Sequence, residues 1–121
     1  TVATFSKVLL SGSTNGRAIK VAATADPGTT IHATGTSSSI IDEIWLFAHN
    51  TSGSAVTLVI EWGSNTSPDD LITLSIPATS GKTLVIAGEC LTGTGAAAST
   101  VKAYATTGNV ITINGFVNRI A

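Results

Sequence analysis

The sequence contains no methionine and a single cysteine, Cys90. One thiol cannot build a disulfide framework, so the fold has to be held by packing, and synthesis in a reducing cytoplasm is expected. A start at Thr1 reads as loss of an initiator Met. Charge is equally scarce: 11% of the 121 residues are charged, against about 25% in an average soluble domain. The six cations, Lys7, Arg17, Lys20, Lys82, Lys102 and Arg119, are scattered, and the net charge is −1. No basic stripe exists to neutralise phosphates, so nucleic-acid binding is not expected. No run approaches the ~18 apolar residues of a membrane span. Thr1 to Thr4 has neither the charged nor the apolar region of a signal peptide. With so little charge, solubility has to come from elsewhere, and burial against other protein chains would supply it.

What the chain does have is 43% hydrophobic residues embedded in Thr, Ser, Gly and Asn. No long segment repeats apolar residues at helical spacing. Short apolar runs instead alternate with polar turn clusters, the pattern of an all-β sandwich or barrel. Strands are expected over 5–10, 18–23, 30–33, 40–49, 55–62, 71–76, 82–87, 100–105 and 109–117, with a short piece around Cys90 and Leu91. Asp26-Pro27-Gly28 reads as a turn, with Gly28 free to take positive φ. In 55–62, Val56, Leu58, Ile60 and Trp62 share one parity while Thr57 and Glu61 take the other, which marks an inner face. The runs 40–49 and 55–62 are expected to form a hairpin through Asn50 to Ser54, and Thr107-Gly108-Asn109 to turn a second hairpin. The loop 93–99 reads as flexible. Residues 1–121 form one domain with no linker, and residues 1–8 read as an N-terminal arm.

Reactive chemistry is hard to find. His32 and His49 lie on different strands, and neither has a closely spaced second ligand, so a metal site or a Cys–His pair with Cys90 or Asp42 is not expected. Asp42-Glu43 and Asp69-Asp70 are neighbouring carboxylates, but adjacent strand residues point to opposite faces, and the second pair reads as a solvated turn. Gly12 to Gly16 and Gly93 to Gly95 lack the lysine and following helix of a phosphate loop. Asn50-Thr51-Ser52 and Asn65-Thr66-Ser67 match the glycosylation pattern, which is discounted without a signal peptide. No catalytic residue, cofactor or metal is assigned.

The aromatic residues say more. If Ile44, Leu46 and Ala48 face the core, then Trp45 and Phe47 emerge on the opposite side of the same strand. A strand apolar on both faces needs cover on both. Trp45 and Phe47 are therefore candidate interface residues, joined by Thr1, Val2 and Phe5 of the N-terminal segment.

From Ile31 onward the order of features resembles a group of small structural proteins of tailed-phage virions. The resemblance rests on Ile41 to Leu46, Asn50-Thr51-Ser52-Gly53-Ser54-Ala55-Val56-Thr57, Ser80-Gly81-Lys82-Thr83-Leu84-Val85-Ile86, Val101-Lys102-Ala103-Tyr104-Ala105 and the closing Gly115-Phe116-Val117. Residues 1–28 lie outside it, and Trp45, Phe47, Trp62 and Cys90 depart from the smaller residues expected at those positions. The resemblance implies a jelly-roll or related β-sandwich. It further implies a capsid decoration or cement protein on the capsid exterior, partnered by the major capsid protein and by its own copies, as a trimer or, next, a dimer. A receptor- or glycan-binding module of a fibre or neck is the alternative.

Overall fold

In this chain threonine and the β-branched aliphatics are spread over most of the length, and both favour extended backbone because their χ1 is restricted. The computed structural model, which describes residues 2–121, forms nine strands. These are β1 (Phe5–Leu9), β2 (Ile19–Val21), β3 (Thr29–Ala33), β4 (Ile41–Asn50), β5 (Val56–Gly63), β6 (Leu71–Ile76), β7 (Thr83–Thr92), β8 (Thr100–Ala105) and β9 (Ile111–Ile120). They build two antiparallel sheets packed as a sandwich. The five-stranded sheet runs β1-β9-β4-β7, with β2 on the same side of β9 as a second short strand, and the four-stranded sheet runs β3-β8-β5-β6.

The core is what the alternation predicts. Ile44, Leu46 and Ala48 from β4 and Ile111, Ile113 and Val117 from β9 are fully buried. They meet Leu58, Ile60, Val101, Ala103 and Ala105 from the other sheet. Small alanines on β8 facing the larger Ile and Leu side chains let the two inner layers interdigitate at close-packed density.

Both expected hairpins are corrected. β4 and β5 belong to different sheets: β4 pairs with β7 and β9, and β5 with β6 and β8. The same is true of β8 and β9. Among the described residues β5–β6 is the single pairing between consecutive strands. Asn50 explains the crossing at the end of β4. Its buried side-chain amide donates to the Ser54 and Ile76 carbonyls, and its Oδ1 accepts from the Ser52 N–H, so the turn is bent across the sandwich. Alternation reveals which side chains point inward, and it is silent about which strand lies alongside.

Three further expectations change. β7 is one strand and not two, continuing through irregularities in its pairing with β4 near Gly88 and Val85. The 93–99 loop is tied to its neighbours: Gly93 N–H donates to Ser37 O, Gly95 N–H to Thr36 O and Ser99 N–H to Thr34 Oγ1. Within the segment read as an arm, Phe5 to Val8 is an edge strand of the chain's own sheet, and Thr4 and Ala121 exchange backbone hydrogen bonds at its end. Thr1 lies outside the described residues. No helix among those residues is long and apolar enough to cross a membrane.

Candidate docking face and the buried polar clusters

Strand register places the outward residues of the five-stranded sheet in rows. Phe5, Ile120, Ile41 and Thr92 form one row across β1, β9, β4 and β7. Lys7, Asn118, Glu43 and Cys90 form the next, and Leu9, Phe116, Trp45 and Ala87 the third. Phe47 lies beyond them, opposite Leu84. Two apolar rows thus flank one polar row. Every large hydrophobic residue left exposed in the described chain lies on this sheet or on the segment leading into it: Val2 (89%), Phe5 (70%), Leu9 (56%) and Leu84 (47%).

The structure therefore brings Trp45, Phe47 and Phe5 to one face, with Val2 leading into it. Residues that the sequence reading did not single out for this face are Leu84, Leu9 and Ile120. Only a strand register could have found them, because β1 and β9 lie at opposite ends of the chain.

The centre of the face is ordered by its own contacts. The rings of Trp45 and Phe116 are 6.1 Å apart between centroids and inclined by 12°, so they present a nearly parallel pair. The Lys7 ammonium sits 4.7 Å from the Phe116 centroid, a cation–π contact that ties β1 to β9. Glu43 Oε1 accepts from Trp45 Nε1 at 2.8 Å and from Asn118 Nδ2 at 3.0 Å. The Trp45 indole, followed by Asn118, holds the Glu43 carboxyl below its ordinary value, against a smaller opposing effect of burial. Beside this group a depression of about 230 Å3 is lined by Phe5, Ser6, Lys7, Glu43, Asn118 and Ile120.

Gly88 makes room for the indole. It has φ +72°, and a Cβ built there would lie 2.8 Å from Trp45 Cζ2. Gly88→Ala should cost about 1–3 kcal/mol from the left-handed backbone alone, and should lift the indole off β7. Near-ultraviolet circular dichroism in a Trp62→Phe background checks this; an unchanged Trp45 signal would rule out the packing described.

Behind this face lies a polar cluster inside the core. Asp42 points inward from β4 and is 1% exposed, while its neighbour Glu43 points out, as adjacent strand residues must. Arg119 donates Nε to Asp42 Oδ1 at 2.7 Å and a second N–H to Oδ2 at 2.9 Å. His32, also 1% exposed, lies with Nε2 2.8 Å from Asp42 Oδ2. The His32 Nδ1 accepts from the Ser11 N–H at 3.0 Å, so the ring proton resides on Nε2 and is donated to Asp42. Burial raises the Asp42 carboxyl most strongly, and is outweighed by Arg119 and then His32, which together leave it below its ordinary value of 3.8.

His32 and Asp42 thus meet, but the carboxylate is committed to the guanidinium and the imidazole. Cys90 is exposed on the outer face, and His49 lies further along β4, its Nδ1 buried without a hydrogen-bond partner. No group of three or more His, Cys, Asp or Glu side chains converges among the described residues. The Asp69-Asp70 pair is a turn in which Asp70 Oδ2 accepts from the Thr66 N–H.

A second carboxyl pair escaped the sequence reading. Glu61, on the outward parity of β5, is only 3% exposed because the loop between β2 and β3 lies over it. Gly28 N–H donates to Glu61 Oε1 at 2.8 Å, and Asp26, which lines the same cavity, accepts from Asn65 Nδ2 at 3.0 and 3.2 Å. Gly28 is a glycine because of close approach and not because of positive φ: a Cβ there would lie 2.7 Å from the Ala103 backbone.

Searches against protein-family models, curated proteins and solved structures found no match to this chain.

Proposed function

We propose that this chain is a structural protein of a tailed-phage virion, which binds and stabilises the assembled capsid as a decoration protein. The observation that carries the reading is the outer face of the five-stranded sheet, where two largely apolar rows span β1, β9, β4 and β7 on either side of a polar row that holds Lys7 and Glu43. Exposed apolar side chains gathered on one face of a small chain, with a polar row among them, are what a partner surface covers. The ordered series of motifs from Ile41 to Val117 supports the phage setting. The strand order β2-β9-β4-β7 over β3-β8-β5-β6 supports reading the sandwich as a jelly roll.

Under this proposal the major capsid protein is the principal partner and the chain assembles as a trimer on the capsid exterior, with no catalysis. Binding only the assembled lattice would stabilise it by mass action, and linked copies would bind at high effective concentration. Phe5→Ser combined with Leu84→Ser tests the face. Both side chains are exposed, so stability should move by no more than about 1 kcal/mol. Occupancy on capsids stripped of the protein should fall by about tenfold or more, as expected when interface anchors are removed. Undiminished occupancy with an intact fold would sink the assignment of this face.

The near-parallel Trp45 and Phe116 rings, bordered by Glu43, Asn118 and Lys7, favour a second reading as a glycan-binding module of a fibre or neck. The two readings separate on a glycan array probed with the wild type and Trp45→Ala: Trp45-dependent sugar binding supports the second, and no binding supports the first.

A further inference from the structure

A bare strand edge invites another strand, and each edge of this sandwich but one carries something that blunts it. β1 and β2 are short, and each carries a lysine. β7 is broken by two irregularities in its pairing with β4. β3 has one between Thr30 and His32, and residues 11–12 lie along its free side. There Gly12 N–H donates to Ile31 O at 2.9 Å, and Ser11 Oγ accepts from Ala33 N–H at 2.7 Å. β6 has none of these devices. Its residues, Leu71-Ile72-Thr73-Leu74-Ser75-Ile76, include no charge and no proline, and its register with β5 is unbroken.

Backbone parity identifies the bare groups. Trp62 N–H donates to Asp70 O at 2.8 Å, and that pair continues the register of β5 with β6. Residues 70, 72, 74 and 76 therefore turn their N–H and C=O toward β5, while 71, 73 and 75 turn theirs to the free side. Leu71 N–H has a long bond, 3.4 Å, to the Pro68 carbonyl. Among the described residues, nothing on the free side bonds the backbone of Thr73 or Ser75. The side chains along the edge are equally unpartnered. Ile72 and Leu74 share the inward parity of Ile76 yet are only half-buried, at the flank of the core, and Thr73 and Ser75 are exposed.

We propose that β6 pairs with β6 of a second copy, antiparallel about a two-fold axis at Thr73, which doubles the four-stranded sheet. The strand fits itself in this register. Thr73 exchanges N–H and C=O with the partner's Thr73, and each Ser75 N–H meets the other copy's Leu71 carbonyl. Ile72 then lies opposite the partner's Leu74, so each half-buried flank is extended by the other. On the outer side threonine faces threonine, and no like charges oppose each other along the strand. Neighbouring registers fit worse. An axis at Ile72 would set Ser75 against Asp69 in the loop, and one at Leu74 would set Leu71 against Pro77, which has no N–H. The contact is isologous, so it closes on itself and shields the edge without templating a filament. It lies on the sheet opposite the face proposed to meet a capsid. It is also separate from the threefold contact of that assembly, joining one trimer to the next, and neither reading depends on the other.

Cysteine cross-linking of the intact chain in a Cys90→Ser background tests the register. Residues of a hydrogen-bonded antiparallel pair have Cα atoms about 5.5 Å apart, within disulfide reach. Thr73→Cys should therefore oxidise to a covalent dimer. Leu71→Cys and Ser75→Cys each lie about 14 Å along the strand from their own equivalents, so they should link only when mixed with each other. Thr73 is exposed, so Thr73→Lys and Thr73→Glu should keep the fold. Each alone should weaken self-association by about fivefold, the size of a cross-strand pair, and an equimolar mixture should restore it. Sedimentation velocity reads that arm. The proposal is overturned if Thr73→Cys links no better than Leu71→Cys, or if the mixture associates no more tightly than either variant alone.

Discussion

Gly115→Ala is expected to be the most damaging single-methyl addition in the molecule. Gly115 sits in β9 opposite Leu46 of β4, and a Cβ placed on it would lie 2.0 Å from the Trp45 carbonyl oxygen and 3.1 Å from its carbonyl carbon. Neither atom belongs to a side chain that can rotate away, so the backbones of β9 and β4 must separate. That pair is the centre of the five-stranded sheet: β4 and β9 align over ten residue pairs and bury Ile44, Leu46, Ala48, Ile113 and Val117. Overpacking a core costs about 1–3 kcal/mol even when side chains can adjust. Backbone that cannot should place the cost at about 3 kcal/mol or more, a large part of the roughly 5–15 kcal/mol that holds a domain together. Chemical denaturation should show a much lower midpoint or no cooperative transition. A midpoint within experimental error of wild type would mean that the two strands tolerate a wider spacing than their register implies.

Arg119→Ala should produce the second large loss, and it should carry a pH signature. Removing the guanidinium leaves the Asp42 carboxylate, 1% exposed, with His32 as its remaining partner. Breaking a buried ion pair from one side costs about 3–5 kcal/mol, and the Arg119 side chain is 31% exposed, which puts this case at the lower end. The wild-type chain should hold the Asp42 contribution in full above about pH 4 and lose it as pH falls through the depressed carboxyl value, because the folded state releases that proton more readily than the unfolded one. In the variant, burial dominates and raises the carboxyl, so stability should instead improve toward acid from this group. Denaturation midpoints measured from pH 3 to pH 7 check both statements. Parallel acid dependence in the two proteins would refute the role given to Asp42.

These clusters show where strand patterning stops being informative. The parity of β4 was readable because Ile44, Leu46 and Ala48 alternate with Trp45 and Phe47, and the inward set is fully buried. Parity also separated Asp42 from Glu43, but nothing in the pattern indicates that a carboxylate on the inner side will be met by Arg119, 77 positions away along the chain. Glu61 shows the converse. Its parity points outward, yet it is buried because the upstream loop at Asp26 to Gly28 folds over it; the hydrogen bond from Gly28 spans 33 positions. Register has the same character. Phe5 and Ile120 become neighbours only once β1 is placed on β9. Local periodicity records which way a side chain points, whereas partners are chosen by long-range complementarity that no short window contains.

The alternation of consecutive strands between the two sheets has a kinetic consequence. With β5–β6 as the single pairing of neighbours along the described chain, nearly every other ladder has to close a long loop before any contact rewards it. The β9 ladder with β1 joins residues 5–9 to residues 116–120, so the five-stranded sheet is completed only after both of these distant segments are available. Such topologies fold on the slow side, in about milliseconds to seconds, and hold strand edges open meanwhile. During that interval the apolar rows proposed to meet a partner are unshielded, which makes the speed of β1 docking a determinant of how much chain reaches its native form.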